Sequence, residues 1–386
     1  MSGIISDDRV TDLSKEEILR YGRHLILPEI NIEGQKKLKA AKVLIVGVGG
    51  LGSPVALYLA AAGIGTLGLV DPDFVEESNL QRQIIHSSKD IDRPKTSSAK
   101  DKIQDLNPFV NVVTYNSTIN SSNALDIAKG YDLIIDGTDN FQTRYLVNDV
   151  CVLLGIPNVY GSIFQFEGQA SVFYAKEGPC YRCLLPAPPP PGLVPSCAQG
   201  GVLGVLPGII GSIQAVEAIK LITGAGTPLI GKLLLFEALE MKFSRLRIEK
   251  DPNCPICGNH PTITKLIDYE EFCGLKTKEK PVDKISPLEL KKLLDAGKKV
   301  QIIDIREPHE QAIFKFPQAK YIPFGQLLRR KNELDEKLDA IFICKIGQKS
   351  VFAIRLLQNA GYKGKLFNLD NGVNGWAEVD PSAPLY

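Results

Sequence analysis

Three sets of residues in this chain have types and spacings that can do chemistry. They are a glycine run behind an apolar strand, a set of cations and carboxylates downstream of it, and eight cysteines. In Lys42–Ala62, KVLIVGVGGLGSPVALYLAAA, Gly47, Gly49 and Gly52 spell G-x-G-x-x-G, with a further glycine at Gly50. Glycines let a backbone turn sharply and approach a phosphate closely, and the helix that follows offers free N–H groups and the positive end of its dipole. Asp71 closes the next apolar run, TLGLVD, at a spacing that suits a carboxylate on a ribose hydroxyl. A nucleotide binds here; the glycines alone do not say which.

The residues downstream favour a triphosphate with Mg²⁺. Ser78–Gln83, SNLQRQ, places Asn79, Gln81 and Arg82 in a loop past the second strand, where an arginine suits a polyphosphate. Lys95 opens a helix-like segment, KTSSAK. Asp139 and Asn140 stand at the carboxyl end of the strand YDLIIDGTD, the edge at which such sheets bind ligands, and Asp136 and Asp139 there could hold the metal. A nicotinamide or flavin oxidoreductase, the obvious owner of the glycine pattern, needs no such set. Each charge alone reads as solvated surface, but together at one sheet edge they read as a site.

The cysteines divide by their neighbours. Cys180-x-x-Cys183 and Cys254-x-x-Cys257 are two C-x-x-C knuckles, and four thiolates make a closed, structural Zn²⁺ site. Their separation means the fold must bring them together. Cys197 sits in PSCAQGG at the end of the proline-rich run PAPPPPGLVP, near a helix start that could lower a thiol pKa. Cys344 ends the strand IFIC, and Lys345–Ser350 then curl into a loop before a helix. Backbone N–H groups there would converge on the sulfur and hold a thiolate or persulfide. Cys151 reads as core, and Cys273 is given no role. His24, His86, His260 and His309 stand in no nucleophile–base pattern and read as structural, as do Asp304 and Arg306, which could pair in the core.

The elements that must position these residues fall into two groups. Ser14, with Glu17 three residues on, caps a helical lead-in over residues 14–40. Residues 42–139 alternate strand and helix patterns, which predicts a doubly wound, Rossmann-like parallel sheet with helices on both faces. The same domain continues through the strands Asn158–Tyr160 and Gly168–Tyr174 and a helix near Gly208–Thr223. A second α/β alternation begins near Ile285. The division expected is 14–260, a linker over 261–283, and a small α/β domain over 284–386, sizes ordinary for domains.

Composition narrows the class. The chain has 386 residues, 44% of them hydrophobic, and a net charge of +1 from 45 basic and 44 acidic side chains. That balance offers no field for nucleic acid or a membrane surface. No apolar run approaches the ~18 residues of a spanning helix. The N-terminus lacks a signal core. The expectation is a soluble cytoplasmic protein, or one of the plastid stroma if organelle-encoded.

Taken in order, RYGRHLILP, GVGGLGSP, LVDPDFVEESNLQRQ, KTSSAK, DGTDNFQTR and the CYRC and CPICG knuckles resemble the MoeB/ThiF family, bacterial relatives of ubiquitin-activating enzymes. The C-x-x-G-x-x-S loop at Cys344, with IIDIRE and GVNGW, resembles a rhodanese domain, so the whole resembles the family's rhodanese-fused members. The resemblance implies ATP-dependent adenylation of the C-terminal Gly-Gly carboxylate of a ubiquitin-like sulfur carrier. It implies that Gly50 contacts the nucleotide, Asp71 the ribose, and Asn79, Arg82 and Lys95 the phosphates, while Asp139 supports Mg²⁺. Arg23 would reach the partner subunit's ATP, making a homodimer. Cys197 would form a covalent acyl intermediate, and Cys344 would carry the persulfide, loaded by a cysteine desulfurase. Gln348 and Lys349 stand where many rhodaneses have arginine, a departure that bears on thiosulfate as donor. The carrier favoured is of the molybdopterin-synthase small-subunit type, with thiamine and tRNA-thiolation carriers as alternatives.

Overall fold

The computed structural model describes residues 3–189, 200–275 and 282–385. The described residues fall into two compact units, residues 3–275 and 282–385. The first is built on eight strands: β1 (Lys42–Val46), β2 (Thr66–Val70), β3 (Asn111–Tyr115), β4 (Leu133–Asp136), β5 (Asn158–Phe164), β6 (Glu167–Phe173), β7 (Lys232–Glu237) and β8 (Lys242–Arg247). Their order is β3-β2-β1-β4-β5-β6-β7-β8. The pairs from β3 to β5 are parallel, and those from β5 to β8 are antiparallel.

Residues of a strand point alternately to the two faces of its sheet. Val43 and Ile45 of β1 enter one core, and Leu44 and Val46 enter the other. That is why β1 is apolar at every position after the exposed Lys42, as a parallel strand covered on both faces is. The helices Gly52–Ala62 and Leu206–Thr223 cover the first face and Phe141–Leu154 the second. By length and composition Leu206–Thr223 reaches the threshold for crossing a membrane, contrary to the sequence expectation, but 56% of it is buried inside the protein. Its Gln214 donates to the backbone carbonyls of Asp136 and Val159 at 2.8 and 3.0 Å. It is a core helix.

Two sequence expectations change in detail. The lead-in forms with its Ser14–Glu17 capping box, but as two helices, Lys15–Leu25 and Asn31–Ala40. Pro28 lies in the break and disfavours a helical conformation for Leu27 before it. The stretch 261–283 contains a short helix, Tyr269–Phe272, that packs on the first unit. Tyr269 and Cys273 are buried in the same core as Tyr145 and Val150, and the Tyr269 hydroxyl donates to Asp149 at 2.8 Å.

The second unit is a five-stranded parallel sheet. Its strands are β9 (Lys284–Ile285), β10 (Gln301–Asp304), β11 (Lys320–Tyr321), β12 (Ala340–Ile343) and β13 (Leu366–Leu369), in the order β11-β10-β12-β13-β9. Alternation again splits it: Ile303 and Phe342 enter one core, and Ile302, Ile341 and Ile343 the other. Asp304 and Arg306 do pair, with Arg306 donating through Nε and one terminal nitrogen to both carboxylate oxygens at 2.7–3.2 Å, fully buried.

Candidate active site

In the first sheet the chain runs outward from β1 to β2 and β3, then returns to β4 on the other side of β1. Open α/β sheets bind ligands at such a reversal, beyond the carboxyl ends of the strands. A cavity of about 270 Å³ lies there. Gly47, Gly49 and Gly50 line it, with Asp71, Arg82, Lys95, Asp139 and Asn140. Gly47 adopts φ +88°, and a Cβ on Gly52 would fall 2.0 Å from the Gly47 carbonyl oxygen, so the loop closes against the first turn of the next helix with no space for a side chain.

The charged lining is held by short bonds. Asp71 is 6% exposed; one carboxylate oxygen accepts from Val48 N at 2.8 Å and the other from Asp73 N at 2.9 Å. Burial raises its carboxyl above the ordinary value, with Lys95 nearby pulling the other way. Lys95 is equally buried and pairs with Asp73 at 2.8 Å. Arg82 donates to the Ser78 carbonyl at 3.0 Å. Asn140 caps the helix Phe141–Leu154 by accepting from Thr143 N at 2.9 Å. Asp139 is exposed at the lining and makes no ion pair among the described residues.

Other expected residues stand apart from the cavity. Ser78 is exposed, and Asn79 is buried with its Oδ1 unpartnered; neither lines it. Asp136, read as a metal candidate, is wholly buried and receives the Thr138 N–H and hydroxyl at 3.0 and 2.7 Å; burial raises its carboxyl. It shapes the turn after β4. Arg23 is exposed on Lys15–Leu25 and lies outside the lining. Cys197 lies outside the described residues.

Sequence reasoning missed Gln83, Thr143 and Arg144 in the lining. Arg144 is 8% exposed, donates to the Thr138 carbonyl at 3.2 Å and lies against the Phe141 and Tyr160 rings. The available signal was a basic residue in the first turns of the helix, four positions past its cap at Asn140.

The cysteine pairs meet. The sulfurs of Cys180, Cys183, Cys254 and Cys257 lie within 4.8 Å of one another, with Cys180–Cys254 at 3.6 Å and Cys183–Cys257 at 3.4 Å. Zinc–sulfur bonds of about 2.3 Å in a tetrahedron need sulfurs roughly 3.8 Å apart, so the cluster fits a metal of that kind. Hydrogen bonds from Cys180 lower the Cys254 thiol, and Asp251 N donates to Cys183 Sγ at 3.4 Å. Between the first two cysteines Arg182 turns inward to Asp149 with two bonds of 2.8 Å, and its guanidinium stacks 4.5 Å from the Phe272 ring centre. The knuckle is thereby anchored to Phe141–Leu154, the helix that Asn140 caps.

In the second unit Cys344 follows β12 and is 3% exposed. Its Sγ lies 3.3 Å from the Ser350 hydroxyl, which donates to Asn368 Oδ1 at 2.5 Å, leaving the thiol as donor to Ser350. Gly347, at φ +78°, turns the chain into the helix Gln348–Asn359. The GVNGW segment grips the other side: Val373 N and Asn374 N donate to the Cys344 and Lys345 carbonyls at 2.9 and 3.1 Å. A Cβ on Gly372 would fall 2.1 Å from the Cys344 oxygen. Lys349 pairs with Glu307 at 3.4 Å, and burial lowers the Lys345 pKa.

Comparison with known proteins follows the same division. The ThiF family model matches residues 21–256 and the rhodanese-like domain model residues 286–379. The chain is 47% identical to a probable adenylyltransferase/sulfurtransferase MoeZ of Mycobacterium tuberculosis, over 97% of this chain and 96% of that one. It is 53% identical to a sulfur carrier protein adenylyltransferase of Thermus thermophilus, over 68% of this chain and 99% of that one, so the relative lacks the second domain. Among solved structures, E. coli MccB with ATP aligns with a TM-score of 0.53 and 25% identity, covering 59% of this chain and 70% of that one. The glycine loop at the sheet reversal, the four-cysteine cluster and the Cys344 loop thus lie along one chain, which belongs to the ThiF family and continues into a rhodanese-like domain.

Proposed function

We propose that the first unit uses Mg-ATP to activate the C-terminal Gly-Gly carboxylate of a ubiquitin-like sulfur carrier, and that Cys344 supplies the sulfur. The observation that carries this reading is the single cavity lining of glycine loop, Asp71, Arg82, Lys95 and Asp139. A carboxylate oxygen of the carrier attacks the α-phosphorus; the new P–O bond forms as the bond to pyrophosphate breaks. Two anions must meet, so Arg82 and Lys95 neutralise charge while the loop amides and Asp71 orient the nucleotide. Asp139, exposed at the lining, would hold Mg²⁺, which would supply further charge neutralisation. The terminal sulfur of a Cys344 persulfide then attacks the acyl carbon, and AMP leaves. A thiol reductant supplies two electrons to cleave the resulting acyl disulfide, freeing the thiocarboxylate and the Cys344 thiol. A cysteine desulfurase reloads the persulfide.

The four cysteines hold Zn²⁺ as a structural ion, a closed set with no position for substrate. Arg23 belongs to the site of a second copy. It is exposed on a helix whose Leu19 is 85% exposed and whose following residue Ile26 is 70% exposed, apolar surface that suits a homodimer.

Pyrophosphate exchange with Mg-ATP and a Gly-Gly-ended carrier tests the reading. Wild type exchanges, and Asp139→Ala loses about a hundredfold or more, the scale of removing one group that supports transition-state charge. Mixing Asp139→Ala with Arg23→Ala protein restores part of the exchange if each site draws on both chains. No exchange by wild type, or full exchange by Asp139→Ala, contradicts the proposal.

A further inference from the structure

His86 joins two segments of the cavity wall through one ring. It is 6% exposed, with Nε2 3.2 Å from the Val48 carbonyl oxygen and Nδ1 2.9 Å from the Ser98 hydroxyl. A carbonyl only accepts, so Nε2 carries the proton; Nδ1 of the neutral ring then accepts from Ser98. Val48 lies inside the glycine loop, between Gly47 and Gly49, and its N–H is already held by Asp71. Ser98 lies in the first turn of Lys95–Leu106, whose first residue lines the cavity. Burial holds the imidazole pKa below its usual value, which keeps the ring neutral near pH 7.

We propose that His86 is a positioning residue for the nucleotide: it clamps the glycine loop at Val48 to the helix that carries Lys95, and so sets the distance between the loop amides and the Lys95 ammonium across the phosphates. The proposal rests on the ATP reading above. The two peptides flanking Val48 are then each fixed, Gly47–Val48 by Asp71 on its N–H and Val48–Gly49 by His86 on its carbonyl. Glycines on either side leave those peptides free to rotate without such bonds. Lys95 pairs with Asp73 here, so a phosphate must compete for it; a loop held at constant distance makes that exchange local rather than a rearrangement of two segments.

Two substitutions separate positioning from packing. In His86→Gln the side-chain amide nitrogen falls where Nε2 stood and can donate to the Val48 carbonyl. In His86→Asn the shorter amide falls near Nδ1 and serves Ser98 alone. ATP dissociation constants are measured calorimetrically on the full chain with Mg²⁺, beside urea unfolding. His86→Asn weakens ATP binding about tenfold, the scale of one buried hydrogen bond, while His86→Gln stays within about threefold of wild type. The two variants lose similar stability, since each keeps one bond. Equal weakening in both, no weakening in either, or a loss of affinity that tracks the loss of stability overturns the proposal. Wild type that binds ATP but performs no exchange contradicts the adenylation reading and leaves this test intact.

Discussion

A methyl group at position 52 would lie 2.0 Å from the Gly47 oxygen, closer than any real contact, and at position 372 it would lie 2.1 Å from the Cys344 oxygen. Gly372 meets Cys344 only through the fold, whereas Gly52 was legible in the sequence because the loop it closes lies within a few residues. The C-x-x-C pairs were legible for the same reason. His86 and Arg144 were not recognised. Their partners, Val48 and Ser98 for one and the Thr138 carbonyl with the Tyr160 ring for the other, reach them through the fold. A lone histidine or arginine in a string of residues carries no sign of that. Asp136 and Asp139 show the opposite error, since the first ends β4 and the second follows it, yet only the second lines the cavity. Gly52→Ala is predicted to cost about 1–3 kcal/mol in urea unfolding, as overpacking does, and to weaken ATP binding as the loop shifts. Wild-type stability and affinity in that variant would contradict the packing argument.

At the scale of elements, strands buried on both faces announced themselves as unbroken apolar runs; β1, β2 and β4 fell where the runs were. The β7–β8 hairpin was not anticipated. β8 is an exposed edge strand, KFSRLR, whose charges blur the pattern. The helix Tyr269–Phe272 was read as linker because four residues carry no period; what fixes it is the buried Asp149–Arg182 pair and the Tyr269 hydroxyl. That cluster ties the cysteine knuckle, the helix Phe141–Leu154 and the helix Tyr269–Phe272 together. Metal removal is therefore predicted to act well beyond the four sulfurs. Elemental analysis should find about one zinc per chain, the stoichiometry of a four-thiolate site. Stripping it with a strong chelator, or Cys257→Ser, should lower the thermal midpoint by roughly 10 °C. An unchanged midpoint after verified metal loss would contradict a structural role.

At the scale of the whole molecule, two α/β units follow one another, each with its own pair of cores, and a relative carries the first without the second. Linking them raises the effective concentration of the sulfur donor at the activated carrier without any new contact. The sequence expects a second α/β alternation from near Ile285, and the first strand of the second unit is β9, Lys284–Ile285. The central claim is that one chain converts a carboxylate to a thiocarboxylate by adenylation, sulfur transfer and reductive release, and intact-mass analysis of the carrier tests it most directly. With Mg-ATP, a persulfide source and a thiol reductant, wild type should give carrier in which one oxygen is replaced by sulfur. Cys344→Ser should stop at the adenylate, still exchanging pyrophosphate. Sulfurated carrier from Cys344→Ser, or unmodified carrier from the wild type, would contradict the account.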